Sequence, residues 1–294
     1  MGGFRGAGSG RAEVGGSVVR ARAFSLMELL VTIAVIAVLL AVLLPTLASA
    51  REATRAVRCG SNQRQLITAW TAYANDYRER VMPLAYTSPA DVGSMGEPVY
   101  WWGSYGGAGA VNHEAGFISP YIASRLSNRS VFECPNQPWG TYYPQSGAAA
   151  PTSTYGYNGY YLSPSRTPGW GSLIGRRPWR RLHEILRPTE LFVFADALVP
   201  MDPPRNSALL DPPLLWDGYG WVENESPTTA FRHNRTRRLE GDCYTARAEG
   251  SVAAYHAQPD WLLYPEIGVG SVGRENDPHY IPDADEWALG LKAR

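Results

Sequence analysis

Residues Phe24 to Leu44 read FSLMELLVTIAVIAVLLAVLL, and the fold follows from how this stretch is read. It carries one charge, Glu28, and no Gly, and Pro45 stands just past its end. As a helix it would rise about 31 Å, roughly the hydrocarbon thickness of a bilayer. Length and polarity therefore predict a membrane span. Two features set it apart from an ordinary anchor. The apolar run starts abruptly at Phe24, straight after VVRARA. Glu28 lies near its start, where an unpaired carboxylate in lipid costs about 2.5–3.5 kcal/mol. A charge in that place needs a partner.

Upstream, residues 1–23 are rich in Gly and Arg with no apolar run of their own. They are expected to be disordered, a processing segment outside the fold. Arg20 and Arg22 precede the span and Arg51, Arg55 and Arg58 follow it, so positive charge leans only weakly towards a cytoplasmic N-terminus. Downstream, TLASAREATRAVRCGSNQRQLITAWTAYANDYRER keeps a helical period. Leu47, Ala50, Thr54 and Val57 recur at three- and four-residue steps, as do Leu66, Trp70, Tyr73 and Tyr77, with Arg and Gln opposite. Pro45 cannot donate to the Ala41 carbonyl, which predicts a kink or local opening; Gly60 is a second weak point. The reading is one long helix over residues 24–80, apolar all round and then amphipathic.

The remainder, residues 81–294, reads as one globular domain of about 200 residues. Gly (30) and Pro (23) are abundant, and Tyr (17) and Trp (10) outnumber Phe (7), which points to a loop-rich domain with an aromatic surface. Acidic and basic residues balance at 27 each, so no general attraction to nucleic acid follows. Met82 to Gly116 reads as a long connection whose YWWGSYGG forms a turn with exposed aromatics. Phe117 to Ser127 is expected as a short helix, and VFECPNQPWG as a strand ending in a Pro-limited turn. Tyr155 to Tyr161 follows. Leu191 to Ala197 is the clearest strand, and Asp242 to His256 a hairpin turning at Glu249-Gly250. The last forty residues show no clear period.

The pattern Ala-Phe-Ser-Leu-Met-Glu after an Arg-bearing leader resembles the signal of type IV prepilins and type II secretion pseudopilins. The resemblance implies cleavage between Ala23 and Phe24 by a prepilin peptidase that also N-methylates the new amine. It makes Glu28 the fifth mature residue, an assembly residue that pairs with a neighbour's N-terminus, and places Pro45 where such pilins carry a proline. Ala23 stands where Gly is usual. Further segments resemble large prepilin-type proteins abundant in planctomycetes and verrucomicrobia: Arg58-Cys59 with Asn62, Arg64 and Gln65; Cys134-Pro135; Tyr155-Gly156-Tyr157-Asn158; Pro188 with Asp196; and Arg232-His233 with Glu249-Gly250-Ser251-Val252. The last departs from the pattern: Glu replaces Asp, and RTRRLE adds about six residues after the His.

The resemblance implies an α+β, pilin-like fold. A long N-terminal helix, half in the membrane and half amphipathic, packs on a loop-rich domain with a small antiparallel sheet. It implies a filament subunit, held by inner-membrane lipid as a single-pass protein until it joins other pilin-like subunits, its C-terminal domain periplasmic or on a surface filament. The alternative is a membrane-tethered periplasmic binding domain, for glycan, that does not polymerise. Three Cys fit an exported protein with at most one disulfide. Relatives carry Cys in the segments of Cys59 and Cys134, which makes these the expected pair. Their bond would close a loop of about 75 residues, worth roughly 4 kcal/mol. Cys243 is the rival partner, and three unpaired thiols are the other reading.

Chemical motifs are sparse. The five His are scattered, without HExxH or a close pair, and give no metal or catalytic site by spacing. No G-x-S-x-G, P-loop or dinucleotide fingerprint is present, and the chain reads as no enzyme and as needing no cofactor. Asp217 to Glu225 (DGYGWVENE) has oxygens for Ca²⁺ without EF-hand spacing; a solvated turn is the plainer reading. Arg232, Arg235, Arg237 and Arg238 are enough to touch DNA, yet four arginines in one loop are ordinarily solvated.

Overall fold

Helix α1 runs from Leu26 to Asp76 and opens on a reciprocal cap. Glu28 N–H donates to Ser25 Oγ at 3.1 Å and Ser25 N–H to Glu28 Oε2 at 3.0 Å, the pairing that satisfies orphan donors of a first turn. The computed structural model describes residues 25–87, 96–105, 111–123, 130–137, 143–144, 152–168 and 171–292. The leader and cleavage site, including Ala23 and Phe24, lie outside the described residues. So do residues 124–127 of the expected Phe117 to Ser127 helix, whose described part holds only a 3₁₀ turn, Ser119–Tyr121. The chain divides into two units, meeting at Ala48 and Ser49.

In the first unit α1 is exposed along its apolar run, from Leu26 (81%) to Leu44 (63%). The helix is unbroken at Pro45 and at Gly60. Beside Pro45, the Thr46 hydroxyl donates to the Leu43 carbonyl at 2.9 Å.

The second unit is built on the later half of α1. Ala56, Cys59, Asn62, Gln63, Leu66, Ile67, Trp70 and Tyr73 are buried there. The expected apolar stripe is right from Leu66 to Tyr73 and wrong before it: Leu47 and Val57 are exposed, while Asn62 and Gln63 are buried. The helix ends at Asp76, where Arg78 and Glu79 take positive φ, four residues short of the expected Arg80.

Short strands follow: β1 (Ala85–Tyr86), β2 (Val99–Tyr100), β3 (Gly103–Tyr105) and β4 (Val111–Asn112), paired in that order as an antiparallel sheet. Trp101 and Trp102 between them are buried, not the exposed aromatics that a Gly-rich turn predicts. Then come β5 (Tyr143–Pro144), β6 (Tyr155–Tyr157), β7 (Phe192–Asp196), β8 (Arg205–Asn206), β9 (Leu214–Trp216), β10 (Trp221–Glu223), β11 (Thr229–Ala230), β12 (Asp242–Arg247), β13 (Val252–His256), β14 (Leu262–Tyr264) and β15 (Val269–Gly270). The central sheet is antiparallel in the order β13-β12-β7-β6. The short strand expected from Val131 to Cys134 is a turn, and the Pro-limited turn expected after it is present; a helix, Ala284–Lys292, lies near the C-terminus where no period was visible.

Register explains how helix and sheet meet. Tyr157 pairs with Phe194, which pairs with Ala246; one step along, Tyr155 pairs with Asp196. Side chains two apart on a strand share a face, so two rows stand under α1. Trp70 Nε1 donates to Tyr157 Oη at 3.1 Å, and Tyr157 Oη donates to the Met82 carbonyl at 2.5 Å. Asn62 Nδ2 donates to the Glu133 carbonyl at 2.9 Å, and Gln63 Nε2 to the Tyr244 carbonyl at 2.6 Å. The buried helix face is polar because it must satisfy these acceptors.

Gly156 lies in β6 where a Cβ would sit 2.8 Å from the Leu209 carbonyl oxygen and 2.8 Å from Ala197 Cβ. Gly156→Ala is expected to destabilise the domain by about 1–3 kcal/mol through this clash. Gly220→Ala, where a Cβ meets nothing within 4 Å, should stay within about 0.5 kcal/mol of wild type. Denaturant unfolding of both variants checks the contrast.

Candidate functional site

Two places hold the residues that the sequence singles out. The first is the start of α1. Glu28 makes its hydrogen bonds to Ser25 of its own chain, a local use for a charge expected to seek a partner. Pro45 lies inside the helix just past the apolar run, where the reading of one long helix places it.

The second is a buried cluster in the second unit. Cys59 comes from α1, Cys134 from the turn before Pro135, Asp196 from the end of β7 and His233 from the stretch leading to β12. One donor atom from each lies within 4.8 Å of all the others. Cys59 Sγ is 3.6 Å from both oxygens of Asp196, Cys134 Sγ is 3.2 Å from His233 Nε2, and His233 Nε2 is 3.6 Å from Asp196 Oδ2. All four side chains are fully buried. The structure thus brings Cys59 and Cys134 together with both thiols free. Cys243 is also a free buried thiol, on β12 and outside the group.

A ring of donors surrounds the cluster. Tyr155 Oη donates to Cys59 Sγ at 3.5 Å, and Tyr244 N–H to Asp196 Oδ2 at 2.9 Å. Arg232 Nε lies 3.8 Å from Asp196 Oδ1, and its Nη2 donates to the Ala197 carbonyl at 2.7 Å. His233 Nδ1 has no hydrogen-bond partner and faces Glu52 Oε1 at 3.8 Å. Glu52 is itself held by Asn234 N–H at 3.0 Å and by the Asn136 amide.

Burial acts first on every group here, and neighbouring charges then sort the groups. Burial, with the negative charges of Cys134 and Asp196, pushes the Cys59 thiol up. Burial also opposes ionisation of Cys134, but the Cys59 hydrogen bond, the Arg232 guanidinium and His233 outweigh it and hold that thiol well below the usual range. Burial and the Cys134 charge push Asp196 up to about 7, against the pull of His233 and Arg232. Desolvation lowers the His233 value, but Cys134 and Asp196 overcome it and leave the imidazole above its ordinary range. Two sulfurs, an imidazole and a carboxylate at these separations can hold a divalent metal. The burial of Cys134 and His233 keeps substrates from the pair in this conformation.

The residues quoted for the family resemblance account for the cluster: Arg58-Cys59, Cys134-Pro135, Asp196 and Arg232-His233 supply its four donors and the neighbouring guanidinium. Spacing alone could not join them, since Cys59 and Asp196 are 137 residues apart and Cys134 and His233 are 99 apart. One local signal existed: an acid closing the apolar run LFVFAD. Glu249 of the same set stays exposed in the β12–β13 turn.

Other expectations meet plain structural uses. Asp217 Oδ1 accepts the Tyr219 and Gly220 N–H groups at 2.8 Å each, closing the β9–β10 turn. Arg235 donates to the Glu266 carbonyl at 2.8 Å, and Arg237 pairs with Glu240 at 3.6 Å and Arg238 with Glu266. An open groove of about 390 Å³ is lined by Glu223, Asp260, Trp261, Arg274 and Glu275 among others. Comparison with family models, curated proteins and solved structures gives no match.

Arg232 is the one guanidinium beside Asp196 among the described residues. Removing a partner from a buried charge costs about 3–5 kcal/mol. Arg232→Ala is expected to lose that much in denaturant unfolding, and Arg232→Lys to recover only part, because an ammonium cannot donate at once to Gln137, Thr154 and Ala197 as the fork does.

Proposed function

We propose that this chain is a membrane-anchored structural subunit of a pseudopilin-like filament, freed for assembly by removal of residues 1–23. The observation that carries the reading is the division of labour along one helix. Residues 26–44 of α1 are apolar apart from Glu28 and exposed, as a lipid- or helix-packing segment requires, while one face of residues 56–74 is buried in the core of an α+β domain. An apolar surface of this length is not left in water by a stable protein. It needs lipid in storage and the apolar helices of other subunits after assembly. The Ala23-Phe24 junction and Glu28 supply the prepilin-type start.

Glu28 has two candidate uses, and they separate cleanly. As a cap it needs only an acceptor oxygen, which Gln also offers. As partner to a neighbour's Phe24 amine it needs its charge. Glu28→Ala and Glu28→Gln should both insert in the membrane, and both should fail to enter filaments, scored by crosslinking and shearing of cell-surface fractions. Assembly of Glu28→Gln at the wild-type level would reduce Glu28 to a cap.

Processing is tested separately. Mass spectrometry of membrane-extracted protein from cells with an active prepilin peptidase should give a chain beginning at Phe24, N-methylated. An intact leader would favour the second reading, a tethered binding domain. That reading draws on the groove beside Trp261, where an aromatic ring among acidic and basic side chains suits a sugar.

A further inference from the structure

We propose that Cys59, Cys134, Asp196 and His233 form a structural zinc site that ties α1 to the sheet and loops of the second unit. The inference goes beyond the filament reading and does not depend on it. Donors on a tetrahedron with metal bonds of about 2.0–2.3 Å stand about 3.3–3.8 Å apart. The separations here are 3.6 Å for Cys59–Asp196, 3.2 Å for Cys134–His233 and 3.6 Å for His233–Asp196, and every pair is within 4.8 Å. Four side chains from distant parts of the chain thus already stand near the edges of a zinc tetrahedron.

The charges and the outer contacts fit the same ion. Two thiolates and a carboxylate carry three negative charges; Zn²⁺ and the Arg232 guanidinium beside Asp196 carry three positive ones. A dry site balanced in this way avoids the cost of an uncompensated buried charge. Coordination through His233 Nε2 leaves the imidazole proton on Nδ1, which has no partner of its own and faces Glu52. A carboxylate behind a ligating His is the usual outer support of such sites, as are donors to the sulfur and carboxylate ligands, here Tyr155 Oη and Tyr244 N–H. Sulfur ligands and burial of all four side chains describe a closed structural site, not one with an open catalytic position. On binding, the Cys59 proton and the proton shared by Cys134 Sγ and His233 Nε2 leave to solvent, and two metal–sulfur bonds and one metal–nitrogen bond form, with no change in oxidation state.

A Cys59–Cys134 disulfide uses the same sulfurs and excludes the metal, so the test must separate the two. The full chain, extracted in detergent with thiols blocked at lysis, is expected to contain about one zinc per chain by elemental mass spectrometry. Reduced protein stripped with chelator should take up one equivalent of Co²⁺ and show thiolate-to-cobalt charge transfer with the intense visible bands of tetrahedral coordination. Cys134→Ser and His233→Gln should each lose zinc at least tenfold, whereas Cys243→Ser should keep it. Glu52→Gln, which leaves all four ligands in place, should weaken affinity about 10–100-fold. The wild-type cobalt spectrum guards against variants that fail to fold. Reduced wild-type protein that stays metal-free in Zn²⁺, cobalt bound without thiolate bands, or a Cys59–Cys134 disulfide in protein taken directly from cells would each overturn the proposal.

Discussion

The second unit depends on one contact, the seating of α1 residues 59–73 on the face formed by β6, β7 and β12. Trp70 is fully buried there and its indole N–H is spent on Tyr157. A buried side chain of this size contributes about 1.5–3 kcal/mol by area alone, yet the area does not fix where along the sheet the helix sits. The polar pairs fix it. Asn62 reaches two acceptors and Gln63 and Trp70 one each, and a shift of one turn would strand all three side chains in a dry interface, where an unmet donor costs about 1–3 kcal/mol.

The parts of the fold that were legible are those with strong local periods. The helix was readable because an apolar run passes without a break into a three-four repeat, and β7 because LFVFAD is β-prone between Pro188 and a terminal acid. The β12–β13 hairpin followed from its Glu249-Gly250 turn. What failed did so for identifiable reasons. Asn62 and Gln63 look like solvent-face residues, and only the carbonyls of Glu133 and Tyr244 above them explain their burial. Trp101 and Trp102 sit in a Gly-rich stretch that resembles an exposed turn, but β1–β4 fold that stretch into the core. The strands are mostly two or three residues long, too short for a period of two to declare itself.

The cluster was legible in pieces only. Each member sits in a short motif visible in the sequence, and Cys59 with Cys134 could be named as neighbours from the resemblance. His233 and Asp196 could not be joined to them, because ligand-spacing rules work on close pairs and this site draws one residue from each of four segments. The order of the strands does the joining: β7 lies between β6 and β12, so the end of β7 meets both the helix above and the segment entering β12.

The row of polar bonds that α1 makes to β6, to β12 and to the turn carrying Glu133 also bears on mechanical load. The acceptors of Asn62, Gln63 and Trp70 are spread along the axis of one rigid helix. A pull directed along that axis strains all three bonds in shear at the same instant, whereas a pull across it would open them one after another, as a zipper opens. The helix is therefore held best against a pull along its own axis, and the grip lies in its polar residues more than in its apolar ones.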